Sequence, residues 1–408
     1  MRPASVLLGV WLGACASAPA HDPGPAAHPV LAAAVAEAPV AVRAPSAPVR
    51  IVVGGDVIPH RPQLLDPASV AAGLAPLAPL FGGADAAVVN YETATGEISG
   101  IDPSTLSLAA KPDWMHAVVS ENVTALTLAN NHACDLGRRG LAASIDTAAS
   151  IGVTALGASA GDPWEARTIA SRDGRRLCAV AWTTFVNDRR PGCMSTGRLA
   201  IVSPNREGRL RVERAIARAF HDGCDAVVAI VHGGQEYAPQ TGAMMTLAVA
   251  AADAGADAVI IHHPHVVSPV VVHATEDGRK VPIFASLGNL VSNQGESWTA
   301  DYPAAQKDRH VVYLNGWTRL GMLADLSFQL DAKGPQKLAA WGFRLVFVDS
   351  DHVLDKSNPH PHIAARLLDM DRDRAVVDKL ARDSAGPRTV FDDPCRIADA
   401  AGLPSCAP

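Results

Sequence analysis

Short apolar runs, each stopping at a carboxylate, an amide or an imidazole, constrain this chain more than any other feature. The plainest is the run 256–261, which leads directly into His262-His263-Pro264-His265. A buried strand ends at the edge of its sheet, and α/β proteins bind ligands at the carboxyl ends of their strands. Pro264 fixes its own φ and restricts His263 before it, so His263 and His265 leave a stiff loop. Neutral imidazoles held this way suit a transition metal. A solvated His-rich loop would read the same, so the choice turns on what the other strand ends carry.

Four upstream runs repeat the pattern. Residues 50–53 pass through Gly54-Gly55 into Asp56, where the glycines permit a tight turn and close backbone approach. Residues 85–90 lead into Tyr91-Glu92-Thr93, and 124–129 deliver Asn130-Asn131-His132, with Asp135 and Gly137 following. Residues 226–231 stop at His232, with Glu236 one loop further on. Taken singly, Asp56 can cap a turn and the asparagines can cap a helix. All five strand ends in order are hard to assign to chance. His60 can face the same cleft or belong to a solvated loop.

Between these runs the periodicity predicts helices over 64–81 (broken by Pro76 and Pro79), 113–121, 139–150, 205–221 and 244–254. It predicts hairpins over 166–184, around Asp173-Gly174, and over 267–285. The second closes on Ser286-Leu287-Gly288-Asn289, where Asn289 can support the site. Two further β segments are expected at 322–330 and 338–347. Alternating strands and helices point to an α/β fold. A mixed carboxylate, amide and imidazole set suits Zn, Mn or Fe, whereas calcium takes oxygen alone. A shared carboxylate can bridge two ions about 3.5–4 Å apart, the spacing used for in-line attack on phosphate.

Other classes fit poorly. Gly157-Ala158-Ser159-Ala160-Gly161 has the spacing of a nucleophile elbow, but Asp162-Pro163 follows where a helix is needed. Charged residues are 19% of the chain and the net charge is −6, with no basic or aromatic-basic stripe, so nucleic acid is not an expected partner. No duplicated halves suggest a hinged small-molecule binding protein.

The amino terminus reads as an address. Met1-Arg2 precedes an apolar stretch, 6–12, too short to span a bilayer. Leu12-Gly13-Ala14-Cys15 resembles a bacterial lipobox, which implies a signal peptide over 1–14 and lipid on Cys15. A plain secretory signal cut near Ala18 or Ala20 is the alternative. Ala16 after the cysteine points to the outer membrane, facing the periplasm. Residues 15–48, rich in Ala and Pro, have too few large apolar residues to offset their ordering entropy and read as a disordered tether. Of the seven cysteines, six remain beyond Cys15, an even number that suits an oxidising space. About fifteen connectivities are open; Cys178 with Cys193 and Cys395 with Cys406 are natural guesses. The folded domain is expected over 49–350, followed by a polar helical tail, 351–408, that packs outside or trails.

Gly55-Asp56, Asn90-Tyr91-Glu92-Thr93, Ala129-Asn130-Asn131-His132, His232-Gly233-x-x-Glu236-Tyr237, His262-His263-Pro264-His265 and Ser286-Leu287-Gly288-Asn289 together resemble the CapA family (PgsA-like, linked to poly-γ-glutamate capsule synthesis). The family has the calcineurin-like metallophosphoesterase fold, which implies a four-layer α-β-β-α sandwich with mixed sheets. The resemblance implies Asp56, Glu92, Asn131, His232, His263 and His265 as ligands of one or two divalent transition metal ions, with Glu92 bridging. His132 would donate a proton to the leaving oxygen, and His60, Glu236, His262 and Asn289 would stand behind the ligands. The chain departs from the pattern at Ile58, where ordinary metallophosphoesterases carry a histidine, so one of two ions would be a ligand short unless His60 or His262 compensates. Ile261, Tyr91 and Gly233 are lesser departures. Two functions follow as expectations. One is an envelope lipoprotein of capsule or exopolymer synthesis, partnered by a capsule-synthesis membrane complex, with a metal-dependent phosphoesterase-like hydrolytic site. The other is a non-catalytic accessory that holds an acidic exopolymer or its carrier in the same cleft.

Overall fold

The computed structural model describes residues 46–391 except 61, 97–106, 188–190, 239, 241, 302–311, 353, 356, 359 and 384–387. The signal sequence, Cys15, all but the last three residues of the tether and the Cys395–Cys406 pairing lie outside the described residues. Within them, no helix is long and apolar enough to cross a membrane.

In chain order the strands are β1 (Val49–Val57), β2 (Ala86–Tyr91), β3 (Ala94–Thr95), β4 (Ala109–Ala110), β5 (Ala125–Thr127), β6 (Thr154–Leu156), β7 (Arg167–Arg172) and β8 (Arg175–Thr183). They continue as β9 (Ala226–His232), β10 (Ala258–His262), β11 (Val267–Ala274), β12 (Lys280–Leu287), β13 (Asn289–Val291), β14 (Leu320–Phe328), β15 (Leu338–Ser350) and β16 (Ile363–Leu367). The helices are α1 (Pro67–Leu74), α2 (Ala78–Gly82), α3 (Pro112–Ser120), α4 (Gly137–Ile151), α5 (Pro191–Met194), α6 (Arg206–His221), α7 (Gly242–Asp253) and α8 (Arg374–Asp383).

Two large mixed sheets result. The first runs β16-β15-β14-β1-β2-β5-β6, with β13 also paired to β1, and the second runs β11-β12-β10-β9-β8-β7. β1, β2, β5 and β6 are parallel, as are β8, β9, β10 and β12, so each sheet has a parallel centre whose strands end on one edge. Parallel strands are covered on both faces and read as continuous apolar runs, and the period of two then divides each strand between two cores. Val49, Ile51 and Val53 of β1 join Ala226, Val228 and Ile230 of β9 in one core between the sheets. Val52 and Val57 face the other way, onto α1, α3 and α4 through Leu74, Trp114 and Leu141. On the second sheet Val227, Ala229 and Val231 face α6 and α7 through Ile216 and Leu247. The order helix, sheet, sheet, helix is the four-layer sandwich expected.

Helix starts follow local chemistry. Asp66 caps α1 by accepting from Ala68 N, with Pro67 at the first helical position, and Asn205 caps α6 by accepting from Gly208 N.

The structure corrects three expectations. Cys178 does not pair with Cys193: the disulfides are Cys134–Cys193 and Cys178–Cys224. Cys178 lies on the face of β8 covered by α6, beside Cys224, whereas Cys193 lies in the core of the first sheet with Cys134. The described residues between 351 and 391 do not trail from the fold. β16 pairs antiparallel with β15, and Val377, Leu380 and Val390 enter the inter-sheet core. That strand is hidden in the sequence because Arg366 interrupts its apolar pattern, and the fold neutralises Arg366 with Asp349 and Asp373. Finally, the last three residues assigned to the tether are held by the fold. Ser46 N donates to Asp331 Oδ2 at 2.9 Å, and Arg172 donates to the carbonyls of Ala47 and Pro48.

Candidate metal centre

The parallel centres of both sheets deliver polar side chains to one pocket. From the first sheet come Asp56, at the end of β1, Glu92, just past β2, and Asn131, in the loop after β5. From the second come His232, the last residue of β9, and His263 and His265, in the loop leaving β10. All six are buried. Backbone contacts set this edge: Asp56 N donates to Gly288 O at 3.0 Å and Glu92 N to Val57 O at 3.1 Å. His263 and His265 both have positive φ, 103° and 58°. Non-glycine residues held there cost about 1–3 kcal/mol each and cluster at functional sites.

Three sets of side chains bring one ligating atom each to within 4.8 Å of one another: Glu92, His232 and His263; Asp56, Glu92 and His265; and Glu236, His263 and His265. Glu92 belongs to two of them. Its Oε1 lies 3.6 Å from His232 Nε2 and 3.9 Å from His265 Nε2. Asn131 Oδ1 is 2.8 Å from His232 Nε2, which adds an amide oxygen to the first set. The far nitrogens are held from behind. His265 Nδ1 meets Asn289 Oδ1 at 3.0 Å and Asp56 Oδ2 at 3.1 Å, and His232 Nδ1 meets the Asn90 amide at 3.2 Å. Ligating histidines are oriented in this way by partners on their other nitrogen.

Buried atoms in the pocket that lack a hydrogen-bond partner include Glu92 Oε1, His263 Nδ1 and both ring nitrogens of His262, beside Asp56. Unpaired buried polar atoms are costly, and a divalent cation held by Glu92 and His263 would offset that cost. The electrostatics agree. Burial pushes Glu92 well above the usual carboxyl range, and the neighbouring charges of Asp56 and Glu236 add to this. Burial opposes ionisation of Asp56 as well, but its contacts with His262 and His265 outweigh burial and hold its carboxyl well below the ordinary value. Burial lowers His232 far below the usual imidazole range, and burial with the nearby His265 brings His263 down to about 3. Burial also works against the charged form of His265, but its bond to Asp56 raises it overall. Neutral His232 and His263 are in the form that binds a metal.

His132 sits at the rim. Its Nδ1 lies 2.6 Å from Asp135 Oδ2, which fixes the ring, and its Nε2 is 3.4 Å from the Asn187 amide. Of the residues expected behind the ligands, Asn289 touches His265. Buried His262 approaches Asp56 Oδ1 to 3.3 Å without the alignment of a hydrogen bond. Half-buried His60 joins none of the three sets. Sequence reasoning missed Asn90, whose Nδ2 donates to Asp56 Oδ1 at 2.8 Å and whose Oδ1 accepts from Thr127 Oγ1 at 2.8 Å. An amide at the end of a fully apolar strand was the available signal. Asn187 was missed as well; it lies in a loop with no periodic pattern.

Residues 50–294 match the family described as bacterial capsule synthesis protein PGA_cap. The capsule biosynthesis protein CapA of Bacillus anthracis is 29% identical over 210 residues, covering 49% of this chain and 48% of that protein. The PGA biosynthesis protein CapA of Bacillus subtilis (strain 168) is 28% identical over 224 residues, 53% of each. The chain thus spans about half the length of the curated relatives it matches. Among solved structures, the calcineurin-like phosphoesterase YfkN from Bacillus subtilis aligns with a TM-score of 0.43 at 16% identity, covering 83% of this chain and 97% of that chain.

Proposed function

The chain belongs to the PGA_cap family of bacterial capsule synthesis proteins, and on that premise we propose that its pocket is a divalent-metal-dependent hydrolytic site acting on a phosphoester or related envelope substrate during exopolymer synthesis. The observation that carries this reading is the meeting of six ligand-type side chains from both sheets, with buried atoms such as Glu92 Oε1 and His263 Nδ1 left without a hydrogen-bond partner. Asn131, Glu92, His232 and His263 would hold one cation, and Asp56, Glu92 and His265 a second. Mn, Zn and Fe all suit such ligands. A divalent ion here supplies Lewis acidity toward a phosphoryl oxygen and lowers the pKa of water.

The protein's own groups supply the rest. Asp135 holds the His132 ring by Nδ1, so a proton carried at Nε2 is presented from a fixed position to the leaving oxygen. Asn289 keeps His265 turned with Nε2 toward Glu92. Asp56 and Glu92, at the deep side of the pocket, are fully buried and so shielded from bulk water. A lipid on Cys15 and the tether after it would hold this domain at the cell envelope, outer membrane side, where an acidic exopolymer and a membrane-bound synthesis complex are the fitting partners.

The test is an ester panel, p-nitrophenyl phosphates included, on the full chain loaded with Mn or Zn. Asp56→Ala is expected to lose metal and activity together. His132→Ala is expected to keep its metal and lose about 10²–10⁴-fold in turnover. A second reading, a non-catalytic accessory that binds exopolymer or its carrier, has one observation in its favour. Ile58, buried two residues past Asp56, contributes nothing to the second cation. Metal-loaded protein that hydrolyses no ester in the panel decides for that reading.

A further inference from the structure

The two candidate cation positions are unequally furnished. Around the first stand Glu92, His232, His263 and Asn131, two imidazoles and two oxygen donors. Around the second stand only Asp56, Glu92 and His265, and zinc or manganese takes at least about four ligands. Four neighbours are candidates to complete it. Ile58 has no donor atom. His262 Nδ1 approaches Asp56 Oδ1 to 3.3 Å, but neither His60 nor His262 belongs to one of the three-residue sets, whereas the carboxylate of Glu236 lies within 4.8 Å of ligating atoms on both His263 and His265.

We infer that Glu236 is a direct ligand of the second cation, entering from the solvent side and completing a set that Asp56, Glu92 and His265 leave short. This rests on the proposed metal site. It assigns Glu236 a place among the ligands rather than behind them. Asp56 and Glu92 are wholly buried, while Glu236 is exposed.

The loop that carries Glu236 is fixed to the loop that carries the histidines. Gly233 N donates to His262 O at 3.1 Å, and Tyr237 N donates to Pro264 O at 2.8 Å, one bond on each side of Glu236. Gln240 Nε2 closes back on Gly233 O at 2.6 Å. Tyr237 takes a positive φ of 59°, a backbone turn rare for an aromatic residue, and its ring centroid lies 6.0 Å from that of His265. These contacts hold the Glu236 backbone beside His263-Pro264-His265 and leave only its own side-chain torsions to settle the carboxylate on an ion.

The experiment counts manganese on the full chain and on Glu236→Gln by elemental analysis after equilibrium dialysis over a range of Mn concentrations. Electron paramagnetic resonance distinguishes a coupled Mn pair from a single ion. The expected result is two ions with a coupled signal for the wild type. For Glu236→Gln it is one ion held as before, the second weakened by at least about tenfold, and the coupled signal replaced by that of an isolated ion. Glu236→Gln that binds two ions with unchanged affinity overturns the inference and leaves the metal site standing, and so does wild type that binds one. Wild type that binds none overturns both.

Discussion

Asp257 and Glu92 are both carboxyl groups sealed from water, and the fold treats them differently. Glu92 sits among imidazoles where a cation can neutralise it. Asp257 lies at the far end of the same sheet system, before β10, with Oδ2 accepting from Val227 N at 2.9 Å. Burial pushes it up to about 7, against the pull of the Val227 N–H and the Arg279 guanidinium. A carboxyl raised by folding binds its proton more tightly folded than unfolded. Its contribution to stability is therefore complete below about pH 4 and is lost as pH rises through about 7. Urea unfolding in EDTA should show the protein losing on the order of 2 kcal/mol between pH 5 and pH 8 from this group. Asp257→Asn keeps an oxygen for Val227 N and should remove that part of the slope; an unchanged slope would contradict the assignment. At this scale the sequence revealed residue types at strand ends, because the strand pattern alone marks those positions. It did not reveal Asn90 bracing Asp56 against His232, or Asp135 turning His132, because such contacts cross between strands or within a loop and leave no periodic trace.

At the scale of elements, the site depends on β1 lying hard against the turn between β12 and β13. A Cβ on Gly55 would stand 2.0 Å from Gly288 O, a backbone atom with no room to yield. Gly55→Ala should therefore displace the Asp56 N to Gly288 O bond and cost at least about 1–3 kcal/mol, with loss of bound metal. Thermal melting and metal content read the two effects, and a variant that melts and binds as wild type does would show that the contact is not needed. The central strands were legible because parallel strands buried on both faces are unbroken apolar runs. β16 was not, since the charge of Arg366 is cancelled only by residues that the fold brings to it. The Cys178–Cys193 guess failed for a related reason: closeness along the chain does not say which face of a sheet a cysteine occupies.

Among the described residues the two large sheets share one core between them, with half of the candidate ligands on each. Asp56, Glu92 and Asn131 belong to the first sheet, and His232, His263 and His265 to the second. A cation gripped by both therefore ties the layers together and stabilises the folded state by mass action. The four-layer order could be anticipated from the family resemblance, but the strand order could not, because pairing between distant strands is settled by packing rather than by local pattern. The most direct test of the central claim is elemental analysis of the full chain purified without added metal, repeated after dialysis against Mn, Zn and Fe. At least one equivalent of a transition metal per chain is expected, and Asp56→Ala combined with Glu92→Gln should abolish it. A wild-type protein that carries none and takes up none would contradict the account.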